Sequence, residues 1–187
     1  IDAMGGLMGI AADYAGIHFR VLNASKGAAV RATRSQSDRV LYSNKVKDIL
    51  DSEHLLTVLN NEVSEILLLN EEACGVKLTN GETIQSEKVI LTAGTFLNGK
   101  LFTGEEEQEG GRIGDKPSKK LADFLLSLDL KSGRLKTGTP PRIAANTVNW
   151  AATKEQPSDF PRPTMSFVTT DKVHPKQMSC YLSLIHI

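Results

Sequence analysis

The sequence has few cysteines, few aromatic residues and no excess of charge of either sign. Its two cysteines, Cys74 and Cys180, are too few and too far apart for a disulfide framework or a zinc site, which is typical of a reducing compartment. Lys and Arg together number 22, as do Asp and Glu, so the chain as a whole is not a basic nucleic-acid binder. No run of residues is long and apolar enough to cross a membrane.

The hydrophobic spacing alternates between helical and strand periods. It predicts a first helix with one apolar face, made of Met4, Leu7, Met8, Ala11 and Ala15. A second helix is predicted from Thr33 to about Ser52, with Thr33 or Ser35 as its N-cap. Short strands are predicted at residues 55–59, 63–69 and 89–91, with a hairpin turn at Asn80-Gly81. A third helix is predicted to begin after Asp115 or Ser118.

Residues 89–100, VILTAGTFLNGK, contain most of a phosphate-binding P-loop. The spacing G-x-x-x-x-G-K runs from Gly94 to Lys100, but the next residue is Leu101, where a P-loop needs the hydroxyl of Ser or Thr to bind magnesium. Phe96 and Leu97 are also bulky for a nucleotide cradle. The segment Thr92-Ala93-Gly94-Thr95 fits better a backbone that approaches a flat ligand closely, because its side chains are small.

The sequence at each end of the chain predicts where that end comes from. The first residue is Ile1 and lies inside a predicted helix, which suggests an internal piece of a longer protein. Residues 182–187, LSLIHI, match the translation of a transposon end used to prepare sequencing libraries. We therefore expect residues 182–187 to be an adapter artefact.

Five blocks of sequence carry a resemblance to a known family. They are DAMGGLM, FRVLNASKGAAVRATRSQSDRVLY, VILTAGTFLNGK, GGRIGDKPS and GRLKTGTPPRI, in this order and at the family's spacing. The chain from Ile1 to about Tyr181 resembles the GidA/MnmG family, whose members are FAD-dependent enzymes that modify the tRNA wobble uridine at carbon 5.

The resemblance implies an α/β fold, part of an FAD-binding Rossmann-like domain of the glutathione-reductase type with an antiparallel β-meander. It implies that residues 1–135 belong to this domain without its N-terminal pyrophosphate loop, and that residues 136–181 form a connection and the start of an inserted NAD(P)H-binding domain. No G-x-G-x-x-G occurs in the chain. We therefore expect the chain alone to bind FAD weakly or not at all and to be inactive.

For the parent protein, the resemblance implies a wider set of partners. FAD, NAD(P)H as reductant and methylene-tetrahydrofolate as carbon donor are the expected cofactors. An MnmE/TrmE-type GTPase is expected to bind through a C-terminal domain absent here, and tRNA is the substrate. The parent is expected to be a homodimer with no membrane association, cytoplasmic in a bacterium or mitochondrial or plastid in a eukaryote.

The family pattern also implies cofactor-binding residues. Val63 matches a position near the adenine end of FAD, and Ser118, in GDKPS, matches a second FAD position. Residues Thr92, Ala93, Gly94 and Thr95 are expected to line the flavin. The alternative interpretations are that Val63 is a core valine, that Ser118 is a plain helix cap and that residues 92–95 form a tight turn. No catalytic residue or metal ligand is expected, and neither Cys74 nor Cys180 matches the family's redox cysteines.

Cationic and amide side chains form a second candidate set, for phosphate or substrate. Asn23, Lys26, Arg31, Arg34 and Gln36 precede or begin the second predicted helix, and Lys136, Thr137 and Arg142 lie in KTGTPPR. The residues between 23 and 36 suit a flavin phosphate, a folate carboxylate or tRNA. Those in KTGTPPR suit NAD(P)H or an RNA phosphate. The alternatives are a solvated turn with Asp38 paired to Arg34 or Arg39, and a hinge built by Pro140 and Pro141.

Two other functions stay open at this point. One is a folate- and FAD-dependent tRNA uracil methyltransferase of the same superfamily, and the other is a truncated gene product without function. The histidines His18, His54 and His174 lack ligand spacing and are expected to be surface or packing residues, and Trp150 is expected to be a local packing anchor.

Overall fold

The computed structural model describes residues 1–138, 140, 142–170 and 174–183. Contacts divide the chain into two compact units, the first formed by Ile1–Val58 with Pro140–Ile187 and the second by Leu59–Thr139. Within the described ranges, no helix is long and apolar enough to cross a membrane.

The chain alternates short helices with antiparallel strands. In order, the elements are α1 (Met8–Ala15), β1 (Gly16–Leu22), β2 (Ala32–Ser37), α2 (Arg39–Asp51), β3 (Val63–Leu69), β4 (Glu72–Leu78), β5 (Thr83–Gln85), β6 (Lys100–Thr103), β7 (Glu106–Glu109), α3 (Lys119–Ser127), β8 (Thr153–Gln156) and β9 (Cys180–Ser183). Single 3-10 turns lie at Asp2–Met4, Ala28–Val30, Ala145–Thr147 and Trp150–Ala152.

In the first unit, two antiparallel pairs, β1–β2 and β8–β9, accompany the packed helices α1 and α2. Ala11, Ala15 and Phe19 are fully buried, and the small alanines on α1 let neighbouring backbone approach closely. The Phe19 ring packs edge-on against the ring of His174 with centroids 4.9 Å apart. The core of this unit is therefore small and depends on few apolar side chains.

A buried carboxylate joins distant parts of the first unit. Asp13, in α1, is completely inaccessible to solvent. Its carboxylate accepts hydrogen bonds from the Met165 N–H, at 2.8 and 3.0 Å to its two oxygens, and from the Ser166 N–H at 2.9 Å. The ring Nδ1 of His174 lies 2.8 Å from the Asp13 carbonyl oxygen. Because buried N–H groups are costly when unpaired, Asp13 holds residues 165–166 on α1.

Asp2 makes a similar but exposed contact. The Phe167 N–H donates to Asp2 Oδ2 at 3.0 Å, and this bond, with a smaller contribution from Ser166, lowers the pKa of Asp2. Because the pKa of Asp2 is lowered on folding, the contact stabilises the folded state fully at pH values above the ordinary carboxyl pKa of about 3.9. This stabilisation is lost as the pH falls through the lowered pKa.

The second unit contains a three-stranded antiparallel meander in the order β3-β4-β5 and a separate hairpin, β6–β7. Helix α3 packs against β3, with Leu121, Ala122 and, on β4, Leu78 buried. The predicted strand 63–69 and the Asn80-Gly81 turn are confirmed, since β4 and β5 flank that turn and Gly81 has φ 93°. Ser118 is confirmed as the residue before α3.

The predicted start of the second helix is wrong. Residues 32–37 form β2, which pairs with β1 from Leu22↔Ala32 to Gly16↔Ser37, so Thr33 and Ser35 lie in a strand. The N-cap is Asp38, whose carboxylate accepts from the Val40 N–H at 2.8 Å and the Leu41 N–H at 3.0 Å. Cross-strand pairing with β1 outweighs the helical spacing of 33–38, and Asp38 is used as a cap rather than as an ion-pair partner of Arg34 or Arg39.

Two further predicted strands are also wrong. Residues 55–59 and 89–91 are irregular, and no strand among the described residues pairs with either segment. Leu55 is fully exposed and Ile90 is 87% exposed. Without a ladder of hydrogen bonds to a neighbour, an apolar run has no reason to stay extended as a strand.

The first predicted helix is shorter than expected. Gly5, with φ 85°, ends the 3-10 turn that contains Met4, and α1 begins only at Met8. The assignment of residues 1–135 and 136–181 to cofactor domains stays a prediction. Of the predicted adapter segment, Leu182 and Ser183 lie in β9, and residues 184–187 lie outside the described residues.

We expect Asp13→Ala to destabilise the first unit by about 3 kcal/mol, because it leaves buried N–H groups without an acceptor. Asp13→Asn keeps one acceptor oxygen, so we expect it to destabilise the first unit less than Asp13→Ala. Trp150, the single tryptophan, lies in the same unit, so its fluorescence during urea unfolding reports the change. Asp48→Ala, at an exposed position of α2, is the matched control. Equal midpoints for Asp13→Ala and Asp48→Ala would contradict the role of Asp13.

Candidate functional site

In the second unit, Ser118 contacts residues that neighbour two other predicted cofactor positions. The Ser118 N–H donates to the Phe96 carbonyl at 2.9 Å, and the Asn98 N–H donates to the Ser118 carbonyl at 3.3 Å. The Ser118 hydroxyl donates to Glu62 Oε1 at 3.5 Å. Glu62 immediately precedes Val63, so the start of β3, the glycine loop and the start of α3 lie side by side.

Ser118 has the backbone of a helix N-cap, with φ −85° and ψ 94°, but its hydroxyl makes no capping bond to α3. The hydroxyl is directed to Glu62 instead, and the side chain is half-buried. An N-cap whose side chain does not cap leaves the first N–H groups of the helix available for another acceptor.

The glycine loop, residues 94–99, is a compact turn rather than the end of a strand. Gly94 has φ 60°, and a Cβ there would meet no atom within 4 Å. Thr95 is exposed, and its hydroxyl donates to the Gly111 carbonyl at 3.0 Å. Thr92 is also exposed and Ala93 is half-buried. The small residues thus leave one side of the loop open for close approach.

Val63 is the first residue of β3, with Leu78 as its cross-strand partner, and it is half-buried. β3 is an edge strand of the described three-stranded meander. Its outer backbone N–H and C=O groups therefore take no part in the ladder and suit the edge of a planar ring.

The geometry does not favour a P-loop. Lys100 is the first residue of β6, and its ammonium group pairs with Glu107 on β7. A strand therefore follows the glycine loop, where a P-loop is followed by a helix whose N-terminus holds the phosphates. The lysine that a P-loop would direct at phosphate is already occupied.

The predicted phosphate-binding residues Asn23, Lys26, Arg31 and Arg34 lie on the β1–β2 hairpin. Asn23, with φ 55°, closes the turn through its amide, which donates to the Val30 carbonyl at 3.0 Å. Arg31 Nε donates to the Lys26 carbonyl at 3.1 Å, and Arg34 Nη2 lies 3.5 Å from Gln36 Oε1. We call Lys26, Arg31 and Arg34 the hairpin cations; all three are exposed.

None of the hairpin cations has a carboxylate within ion-pair distance in the described part of the chain. Their neighbour Arg20, opposite Arg34 on β1, differs because its guanidinium lies 2.6 Å from Asp159 Oδ1. Asp159 also accepts the Val21 N–H at 2.7 Å. The hairpin therefore keeps three uncompensated positive charges next to one that is neutralised.

The remaining predicted residues, Lys136, Thr137 and Arg142, lie outside regular secondary structure. Lys136 and Thr137 are exposed and irregular in the second unit, and Arg142 is exposed and irregular in the first. The predicted hinge residue Pro141 lies outside the described residues, as does Thr139. The roles of Lys136 and Arg142 stay predictions.

The histidines and the tryptophan behave as packing residues where the structure shows their contacts. His18 is 1% exposed, with Nε2 3.1 Å from the Gln156 carbonyl oxygen. Trp150 stacks edge-on with Tyr181 at 5.0 Å between ring centroids. In the described ranges, no group of His, Cys, Asp and Glu is arranged to hold a metal ion.

Two residues of the site were not predicted from the sequence. Glu62 accepts the Ser118 hydroxyl, and Arg134 donates to the carbonyl groups of Leu97 and Asn98. Both act over long sequence separations, so no local spacing marks them.

Gly111→Ala should disturb the glycine loop, because a Cβ at residue 111 would lie 2.3 Å from Cδ1 of the Phe96 ring. We expect a cost of about 1–3 kcal/mol, typical of overpacking, and faster amide exchange in residues 94–99. Hydrogen exchange is the suitable probe, since residues 59–139 contain no Trp or Tyr. Gly133→Ala, which meets no atom within 4 Å, is the control. Unchanged exchange in Gly111→Ala would refute this packing.

Comparison with known proteins agrees with the predicted fold. The family model described as glucose inhibited division protein A matches residues 1–186. GidA from Aquifex aeolicus, in its form I crystal, is 36% identical, with a TM-score of 0.85, over 96% of this chain and 31% of the GidA chain. The form II crystal gives 36% identity and a TM-score of 0.85, over 97% of this chain and 31% of that one. This chain thus spans 31% of the length of the GidA chain that it matches.

These matches confirm the predicted α/β fold class, part of an FAD-binding Rossmann-like domain with an antiparallel meander, as well as the predicted resemblance. The chain belongs to the glucose inhibited division protein A family, a family of FAD-dependent flavoproteins that act in tRNA modification.

Proposed function

We propose that this chain is part of an FAD-dependent enzyme that installs aminomethyl or carboxymethylaminomethyl groups at carbon 5 of the tRNA wobble uridine. NAD(P)H is the proposed reductant, methylene-tetrahydrofolate the carbon donor and an MnmE/TrmE-type GTPase the partner of a homodimeric parent. The observation that supports this proposal is that Ser118 contacts the glycine loop at Phe96 and Asn98, and Glu62 just before Val63, in the second unit of a GidA-family chain.

The residues present fit a flavin. β3 is an edge strand of the described meander, and the open side of Gly94 admits a planar group. The N-terminal N–H groups of α3 have no side-chain cap, so they suit an electronegative oxygen. The donors are mainly peptide groups, which hold a ring without competing as nucleophiles or bases.

When bound, FAD would supply the redox chemistry, and the protein would contribute binding and orientation. In this chain, Ser118 and the glycine loop hold each other through two backbone hydrogen bonds, so ligand contacts on both have a fixed spacing. Preorganised contacts of this kind lower the ordering cost of binding.

The hairpin cations fit the phosphates of tRNA. Exposed guanidinium and ammonium groups without a carboxylate partner gain from phosphate contact and release counterions. Arg20 is excluded from this set because Asp159 neutralises it. A flavin phosphate or folate carboxylate would use the same chemistry, and the salt dependence of tRNA binding separates these cases.

Deletion of the gene that encodes this sequence in its source organism should remove the C5-aminomethyl-type uridines from tRNA. Mass spectrometry of digested tRNA measures these nucleosides together with 5-methyluridine, which serves as the internal control. If 5-methyluridine were lost and the wobble nucleosides persisted, the related tRNA uracil methyltransferase would be the correct function. No change in either would indicate a gene product without this function.

Replacing the hairpin cations by glutamine, as Lys26→Gln, Arg31→Gln and Arg34→Gln together, should weaken tRNA binding by about tenfold or more. The plot of log affinity against log salt should become shallower by roughly one unit per cation removed. Fluorescence anisotropy with a labelled tRNA measures both between about 50 and 200 mM salt. Lys47→Gln, at an exposed cation already paired with Asp51, is the control. An unchanged salt slope would assign the hairpin cations to another anion.

A further inference from the structure

Arg134 reaches from the segment after α3 to the glycine loop. Its Nη1 donates to the Leu97 carbonyl oxygen at 2.9 Å, and its Nη2 donates to the Asn98 carbonyl oxygen at 2.6 Å. The two acceptors belong to successive peptide groups, and a planar guanidinium presents two donors in a fixed fork. One side chain therefore sets the orientation of two consecutive peptides of the loop.

The peptide between Leu97 and Asn98 is held from both ends. Its carbonyl accepts from Arg134, and its N–H donates to the Ser118 carbonyl at 3.3 Å. Asn98 has φ 46°, a left-handed conformation that asparagine adopts more readily than other residues with a Cβ. Arg134 and Ser118 hold the peptide that precedes it.

Arg134 holds one of two neighbouring elements of the implied flavin site, the glycine loop. The other element is the start of α3 at Ser118, which is joined to the loop because the Ser118 N–H donates to the Phe96 carbonyl and the Asn98 N–H donates to the Ser118 carbonyl. In the described part of the chain, Arg134 makes no ion pair, so its guanidinium serves these two carbonyls. Its removal would leave the carbonyl side of the peptide free to turn.

We propose that Arg134 is a positioning residue of the flavin site, acting through the Leu97–Asn98 peptide rather than by touching the flavin. The inference rests on the proposed function for its ligand, FAD. Arg134 is not among the residues that the family resemblance implied. Its two hydrogen bonds orient the peptide whose N–H donates to the Ser118 carbonyl.

The test compares Arg134→Ala, Arg134→Lys and Lys131→Ala in the protein expressed from its source gene. We expect Arg134→Ala to raise the dissociation constant for added FAD at least about tenfold, measured by flavin fluorescence after removal of bound cofactor. Arg134→Lys, which keeps the charge but not the fork, should fall between Arg134→Ala and the unmodified protein. Lys131→Ala, a nearby exposed cation, should leave the constant unchanged.

Hydrogen exchange on the same samples separates positioning from general unfolding. Amides of residues 96–99 should exchange faster in Arg134→Ala, while those of β3 and β4 keep their protection. Faster loop exchange with unchanged FAD affinity would overturn the positioning role, and so would unchanged exchange. If the unmodified protein bound no FAD, the proposed function would fail instead, and the exchange data would still decide whether Arg134 holds the loop.

Discussion

Buried backbone N–H groups must be paired, and in the first unit the fully buried carboxylate of Asp13 supplies part of this pairing. The apolar core there is limited to side chains such as Ala11, Ala15 and Phe19, which remove little surface from water. A carboxylate that accepts three hydrogen bonds from residues 165–166 joins segments 152 residues apart. Polar pairing therefore adds to apolar burial in holding residues 165–166 on α1.

The parts of the fold that the sequence predicted are those with local causes. Strand 63–69, the Asn80-Gly81 turn and the start of α3 each depend on alternation, a two-residue turn or a cap within a few residues. The failures depend on distant partners. Residues 32–37 form a strand because β1 lies beside them, and residues 55–59 form none because no described strand does. Single-sequence periodicity contains neither fact.

The same division applies to the candidate site. The glycine loop and the helix start at Ser118 have a local signature in small residues and a cap, and the family resemblance implied the cofactor role of Ser118. Arg134 and Glu62 have no such signature, because their contacts span 36 and 56 residues. Their partners give no sequence signal either, because Arg134 binds backbone carbonyl groups, which every residue has. A site composed of peptide groups shows its geometry only once the chain is folded.

That composition is consistent with what a flavoenzyme requires of its chain. Where a cofactor carries the difficult chemistry, the protein has to supply shape, a few oriented dipoles and charge for the substrate, rather than a set of reactive side chains. In the second unit, the oriented groups are the peptides of Leu97 and Asn98, whose carbonyls bind Arg134, and the neighbouring backbone of Ser118. In the first unit, the charge is that of the hairpin cations, which stays available because the nearby carboxylates of Asp38 and Asp159 cap a helix and neutralise Arg20. These two acids thus make structural contacts, and the hairpin cations have no carboxylate partner in the described part of the chain.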